Sequence, residues 1–196
     1  MSNIIDYQAY VNDTKLSDNS VFATKLVQVI NNLHSEDVDI SRLLCGAIGT
    51  VSESAELLQE AISPMSPKFV DELGDVYFYL NVSATALGVT FNEYTTDCFT
   101  SDIINDSLSE LQLVQNICIK TGNYLDIVKK VLFQGKKIDI KVHTKLIDLI
   151  YEIYFEFYCL TKKIDITIPY VILVNRNKLD CRYKDKFSVM ESETRP

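Results

Sequence analysis

Residues 51–80, VSESAELLQEAISPMSPKFVDELGDVYFYL, contain two helical patterns separated by a short break that is rich in proline. Before the break, apolar residues recur at spacings of four, three and four, which is typical of one stripe on a helix. The break places Pro67 at a first helical position, where its missing N–H costs nothing. The sequence therefore predicts helices over 40–62 and 67–87 that pack as antiparallel neighbours, since their connection is short. The predicted stripe on the first helix is Val51, Ala55, Leu58 and Ile62.

Helical patterns extend over most of the remaining chain, so the predicted fold class is all-α. The 6 Gly and 4 Pro among 196 residues are few, which argues against glycine-rich nucleotide loops and β-sandwich turns. Thr90 with Glu93 forms a capping signature, and Ser107 with Glu110 repeats it. Residues 191–196 are expected to form a loose tail. The other predicted helices cover about 3–14, 20–32, 107–133, 143–163 and 169–183.

Composition limits the partners and the compartment. The net charge is -8, whereas proteins that bind nucleic acid usually carry a positive charge, so no nucleic-acid partner is expected. No apolar run reaches the roughly 18 residues that a membrane span needs, and the N-terminus lacks the pattern of a secretory signal. We expect a cytoplasmic protein, in the host cell if it is viral. The five cysteines form no CxxC pair, which predicts buried free thiols rather than a zinc site.

The chain contains one internal similarity. Residues 69–80, FVDELGDVYFYL, align without gaps on residues 146–157, LIDLIYEIYFEF. Upstream, residues 53–62 align with residues 120–129 once a connection about ten residues longer is admitted. The alignment indicates two related helical units; the alternative is a chance match between amphipathic helices of similar aromatic content.

Four acidic residues form two pairs with a spacing of about one helical turn. Glu53 and Glu56 form an ExxE pair, and Glu72 and Asp75 form an ExxD pair on the next helix. Acidic pairs are common in a chain with 27 acidic residues, so the spacing alone decides nothing. Residues three apart share a helix face, however, and the short connection makes the two helices neighbours. We therefore expect the four carboxylates to surround one point.

The surroundings of these carboxylates favour a metal. The ExxE pair lies opposite the predicted apolar stripe, as on a solvated face, but the ExxD helix is apolar nearly all round and is expected to be buried. Gly74 costs this helix about 1 kcal/mol, which indicates that something approaches its backbone closely. Clustered buried carboxylates repel one another unless a cation neutralises them. An all-oxygen site favours Mg²⁺, with Mn²⁺ as a substitute.

SESAELLQEAI (52–62) followed by VDELGDVYFYL (70–80) resembles the MazG-like, all-α nucleoside triphosphate pyrophosphohydrolases, which carry ExxE, a spacer and ExxD. Glu53, Glu56, Glu72 and Asp75 match this motif residue by residue. The segments DYQAYV (6–11) and VNRNKLDCRYKDKF (174–187) also resemble parts of phage members of this superfamily. The related dimeric all-α dUTPases share the carboxylate arrangement and stay an alternative.

The resemblance implies an enzyme that hydrolyses a nucleoside or deoxynucleoside triphosphate to the monophosphate and pyrophosphate, with Mg²⁺ as cofactor. It implies that all four carboxylates bind metal and that Glu53 or Glu56 acts as the catalytic base. The resemblance matches Asn175, Lys178, Arg182 and Tyr183 to the family's C-terminal NxxKLxxRY stretch. One further asparagine, two turns beyond the ExxD motif on the same helix, is a candidate for reading the base. The expected substrate-binding residues are Asn175, Lys178, Arg182 and Asn81.

The second unit departs from this pattern. Lys120 and Asn123 stand where the first unit has the ExxE pair, and Leu149 stands where it has the glutamate of ExxD, so no metal is expected there. In the superfamily, the active site lies between helical units that usually come from two chains. The resemblance therefore implies a MazG-like bundle fused as a pseudo-dimer, with residues 1–103 carrying the carboxylates and residues 104–190 forming a degenerate copy. Pairing of whole chains into a homo-oligomer is left open.

Two other functions are compatible with the sequence. Under the first alternative, the protein binds and sequesters a nucleotide with little hydrolysis. Under the second, it is a structural helical protein that works through contacts with partners. The complete set of four carboxylates argues against sequestration, because a binder does not need all of them. Pyrophosphate release separates hydrolysis from sequestration, and stabilisation by Mg²⁺ separates both from a structural role.

Overall fold

The computed structural model describes residues 24, 26–30, 38–62, 67–91 and 107–182, and no strand occurs among them. The prediction of an all-α fold is confirmed for this part of the chain. Residues 24 and 26–30, within the predicted helix 20–32, are helical. The predicted helix 3–14, the helix expected after Thr90 and the tail 191–196 lie outside the described residues. The long helices are α1 (Ile40–Ile62), α2 (Pro67–Ala86), α3 (Glu110–Gln134), α4 (Ile140–Lys163) and α5 (Ile168–Arg182).

Small residues bring α1 and α2 close together. A Cβ atom added to Gly46 would lie 2.7 Å from the backbone nitrogen of Ser83. A Cβ atom added to Gly49 would lie 2.2 Å from the ring of Tyr79. Residue numbers rise along α1 as they fall along α2, so the two helices are antiparallel, as predicted. Glycine is required at both contacts, because a side chain there would push the helices apart.

The buried face of α1 differs from the predicted stripe. Ile62 is 73% exposed, Ala55 is exposed, and Val51 and Leu58 are half-buried. The prediction counted apolar side chains, whereas glycine, serine and threonine form much of this interface. Glu53 consequently lies beside the buried face rather than opposite it. The buried residues of α1 are Ile40, Leu43, Gly46, Ala47, Gly49, Thr50, Ser54 and Leu57.

Aromatic rings fill the space between the α1–α2 pair and the α3–α4 pair. α3 packs against α1 and α4, while α2 also packs against α4 and α5. The ring of Tyr77 on α2 lies 5.2 Å from that of Phe157 on α4. Phe91 stacks on Tyr154 with a centroid distance of 4.2 Å. The two helical pairs therefore share one hydrophobic core.

Two helices begin at residues other than those predicted. α3 is capped by Ser109 and Gln112, which form a reciprocal capping box two residues after the predicted pair 107 and 110. The side chain of Asp139 accepts a hydrogen bond from the backbone N–H of Val142, so α4 begins three residues before the predicted position 143. α2 stops before Gly88, which adopts the left-handed φ of 73° that was expected there.

The cysteines are less buried than predicted. Cys159 is buried, whereas Cys45 and Cys181 are exposed and Cys118 is partly buried. The prediction is wrong for Cys45 and Cys181 because they lie on the outward faces of α1 and α5; Cys98 lies outside the described residues. All four described cysteines are free thiols. None of the helices in the described ranges has the length and hydropathy that crossing a bilayer requires.

Candidate metal centre

Three of the four predicted carboxylates converge. Glu53 and Glu56 project from α1 and Glu72 from α2, and one oxygen of each lies within 4.8 Å of the others. The convergence has a local cause: residues three apart share a face of α1, and the close approach through Gly46 and Gly49 brings the facing turn of α2 within reach. Three carboxylates at this separation can ligate one divalent ion.

Asp75, the fourth predicted ligand, is held by α5. Asn175 Nδ2 donates a hydrogen bond of 2.6 Å to Asp75 Oδ1, and Lys178 Nζ donates to Asp75 Oδ2. Lys178 Nζ also donates to the main-chain oxygen of Asp71 at 3.3 Å. The structure therefore brings two of the predicted substrate-binding residues to the carboxylates, from a helix about one hundred positions further along the chain.

Gly74 permits this contact. A Cβ atom at position 74 would lie 2.8 Å from the Cβ atom of Asn175, so α5 can approach α2 only over a residue without a side chain. The prediction that something lies close to the backbone at Gly74 is confirmed. Asn175 is itself buried, at 6% exposure, which fixes its amide group against Asp75.

The cluster lies at the edge of the core, where negative charge is costly. Glu53 and Glu72 are partly buried and Glu56 is exposed. The pKa of Glu53 is raised to about 7, with burial as the largest cause. The negative charges of Asp75, Glu56 and Glu72 contribute to this rise, and the positive charge of Lys178 opposes it. Burial likewise raises the pKa of Glu72, with smaller contributions from Glu56 and Asp75. The site therefore favours the binding of a proton or a cation.

The other two predicted substrate-binding residues do not join the cluster. Asn81 is nine residues after Glu72, which places it on the opposite side of α2, and its side chain donates to the backbone oxygen of Tyr77 at 2.8 Å. Since the Tyr77 ring packs against α4, Asn81 lies nearer to α4 than to the carboxylates. Arg182 is exposed one turn beyond Lys178, at the end of α5.

The position between α3 and α4 that the internal alignment predicts to correspond to the carboxylates contains an ion pair. Lys120 Nζ lies 2.8 Å from Glu156 Oε1 and 3.7 Å from Glu152 Oε2. Asn116 Nδ2 donates to the other Glu156 oxygen at 3.3 Å. Sequence alignment identified Lys120 as the replacement for Glu53, but it did not identify Glu156 as the partner. Lysine and glutamate are common on helices, so neither residue alone signalled a buried contact.

No protein-family model, curated protein or solved structure matches this chain. The donor atoms of the site itself indicate which ion it would hold. Three carboxylates converge, with a fourth beside them, and no histidine or cysteine belongs to the converging group. Hard divalent cations such as Mg²⁺ and Mn²⁺ prefer oxygen donors of this kind, so the residues fit the predicted ion.

Proposed function

We propose that this protein hydrolyses a nucleoside or deoxynucleoside triphosphate to the monophosphate and pyrophosphate, with Mg²⁺ held by the carboxylates of α1 and α2. The observation that carries the proposal is the convergence of Glu53, Glu56 and Glu72 within 4.8 Å. Lys178 and Asn175 lie beside this cluster, since both bind the carboxylate of Asp75. An acidic cluster suits a divalent metal ion, and an adjacent ammonium group suits the negatively charged phosphates of the substrate.

Each residue of the site has its own role in the proposed reaction. Bound Mg²⁺ would offset the charge of the phosphates and acidify water. Glu53 would accept the proton of the attacking water, since it is a partly buried carboxylate of the cluster that would hold the ion. The water oxygen then bonds to the α-phosphorus, and the bond from that phosphorus to the bridging oxygen breaks so that pyrophosphate leaves. Lys178 would orient the phosphates, Asn175 would hold Asp75 in place, and Arg182 extends the basic side of α5.

The finer architecture belongs to the same proposal: a MazG-like bundle of two fused units with a single composite site. The pattern of buried positions supports it. Buried residues of α1 correspond to buried residues of α3 that lie 67 positions later, and buried residues of α2 correspond to buried residues of α4 that lie 77 positions later. The difference between these offsets is the longer connection in the second unit. The recurring buried pairs are Ala47 and Val114, Thr50 and Ile117, Ser54 and Thr121, Leu57 and Tyr124, Phe69 and Leu146, Leu73 and Ile150, Val76 and Ile153, and Leu80 and Phe157.

A panel of ribo- and deoxyribonucleoside triphosphates, including dUTP, tests the activity by release of pyrophosphate with Mg²⁺ and with EDTA. Glu72→Gln should lower the Mg²⁺-dependent rate by about 100-fold or more, because it removes a metal ligand. Glu110→Gln is the matched control, since Glu110 is exposed in the first turn of α3. Equal rates for the two variants, or no pyrophosphate from any substrate, would contradict the proposal. Nucleotide binding that needs Mg²⁺ but yields no pyrophosphate would instead indicate sequestration.

A further inference from the structure

Lys178 pairs with Asp75, the carboxylate that was predicted as the fourth metal ligand. The side chains of Lys178 and Asp75 are only 15% and 20% exposed, so water screens their interaction poorly. Asn175 takes the other oxygen of the same carboxylate. Both oxygens of Asp75 are therefore engaged by α5, whereas the three glutamates of the cluster face one another.

The positive charge of Lys178 also acts on the rest of the cluster. It lowers the pKa of Glu53 and of Glu72 against the stronger effects that raise them. A divalent ion among these carboxylates would lie close to the ammonium group, and two cations at a short distance repel each other in a poorly screened site. Coordination of Asp75 would in addition require the oxygen to which Lys178 donates.

We propose that Lys178 is an intramolecular competitor of the metal ion for Asp75, and that metal binding releases its ammonium group towards the phosphates of the substrate. This inference rests on the proposed function and adds to it a coupling between the two ligands. Metal binding and phosphate binding would then be ordered: the ion displaces Lys178, and the released charge becomes available beside the ion. Lys178 would weaken metal binding in the absence of nucleotide and strengthen nucleotide binding once the metal is present.

Direct titration with Mn²⁺, followed by the electron paramagnetic resonance of the free ion, tests the competition without any substrate. Lys178→Met keeps the length of the side chain and removes its charge, so the affinity for Mn²⁺ should rise about tenfold. Lys178→Arg retains the charge, so its affinity for Mn²⁺ should stay within about twofold of that of the unchanged protein. Arg176→Met is the matched control, because Arg176 is exposed on the same helix and pairs with Asp180. Unchanged or weaker Mn²⁺ binding by Lys178→Met would overturn the proposal.

A second measurement uses the unaltered protein and so does not depend on the folding of a variant. Acetylation by a limiting amount of acetic anhydride reports the accessibility of each amine, with the exposed Lys145 and Lys162 as internal references. Saturating Mg²⁺ should increase the labelling of Lys178 severalfold relative to these references, and constant or reduced labelling would overturn the proposal. Neither experiment measures hydrolysis, so a protein that binds Mn²⁺ but releases no pyrophosphate would contradict the proposed function and leave the competition measurable.

Discussion

The α1–α2 pair and the α3–α4 pair have the same pattern of buried positions but differ in the charged groups at their centres. Between α1 and α2, three glutamates converge within 4.8 Å. Between α3 and α4, the corresponding place holds Lys120, which lies 2.8 Å from Glu156. Carboxylates gathered at the edge of a core require a countercharge. The α3–α4 pair obtains it from its own lysine. In the α1–α2 pair, Lys178 of α5 pairs with Asp75, and we propose that a divalent cation neutralises the three glutamates.

The largest effect on stability is expected at the lysine. Lys120→Met would leave Glu156, which is 7% exposed, as a buried charge without its ammonium partner, at a cost of about 3 kcal/mol. The double variant Lys120→Met with Glu156→Gln should recover most of this loss, since no buried charge then remains. Urea denaturation with EDTA present measures both. Equal stability of the single and double variants would show that the ion pair does not neutralise this position.

The next largest loss of stability is expected from a substitution at the contact between α5 and the carboxylates. Gly74→Ala would place a methyl group 2.8 Å from the Cβ atom of Asn175, so we expect a loss of about 1–3 kcal/mol from overpacking together with a lower rate of pyrophosphate release. Gly122→Ala on α3 is the matched control, because nothing lies within 4 Å of its added Cβ atom. It should stabilise the protein by about 0.5–1 kcal/mol. The account is wrong if both substitutions stabilise.

The smallest expected effect concerns pH and Glu53. Its folded-state pKa of about 7 lies above the ordinary 4.5, so between these values the folded protein binds more protons than the unfolded chain. The stability that this group contributes is therefore present at low pH and lost as the pH rises through 7. Because Glu53 is only partly buried, solvent screening limits the effect to about 1 kcal/mol.

Glu53→Gln should accordingly stabilise the metal-free protein near pH 8 and leave it unchanged near pH 4. Thermal melts in EDTA across this range measure the difference between Glu53→Gln and the unchanged protein. A constant difference between Glu53→Gln and the unchanged protein at all pH values would contradict a raised pKa at Glu53.

Much of the fold and part of the site could be predicted from the sequence because they depend on local signals. Periodicity and the proline break placed α1 and α2, and the ExxE and ExxD spacing placed Glu53, Glu56 and Glu72 on facing turns. The buried face of α1 could not be predicted from apolar residues, because Gly46 and Gly49 allow close packing through their lack of side chains.

Contacts between segments that are distant in the sequence could be predicted less well. Asn175 and Lys178 were assigned to the site from a motif, but their attachment to Asp75 is a tertiary contact that no local pattern specifies. The pairing of Lys120 with Glu156 was missed for the same reason. Asn81 was proposed from its sequence distance to the motif, and the helical repeat turns it to the far side of α2.

The central claim is that the carboxylates of α1 and α2 hold a divalent cation, whereas the α3–α4 pair does not need one. The most direct test is the melting temperature as a function of Mg²⁺ concentration, for the unchanged protein and for a variant with Glu53, Glu56 and Glu72 all changed to Gln. Since an ion that binds the folded state stabilises it by about 2.7 kcal/mol at one hundred times its dissociation constant, the unchanged protein should melt at a clearly higher temperature with Mg²⁺, and the variant should not respond. A melting temperature that Mg²⁺ leaves unchanged in the natural sequence, or raises equally in the variant, would contradict the account.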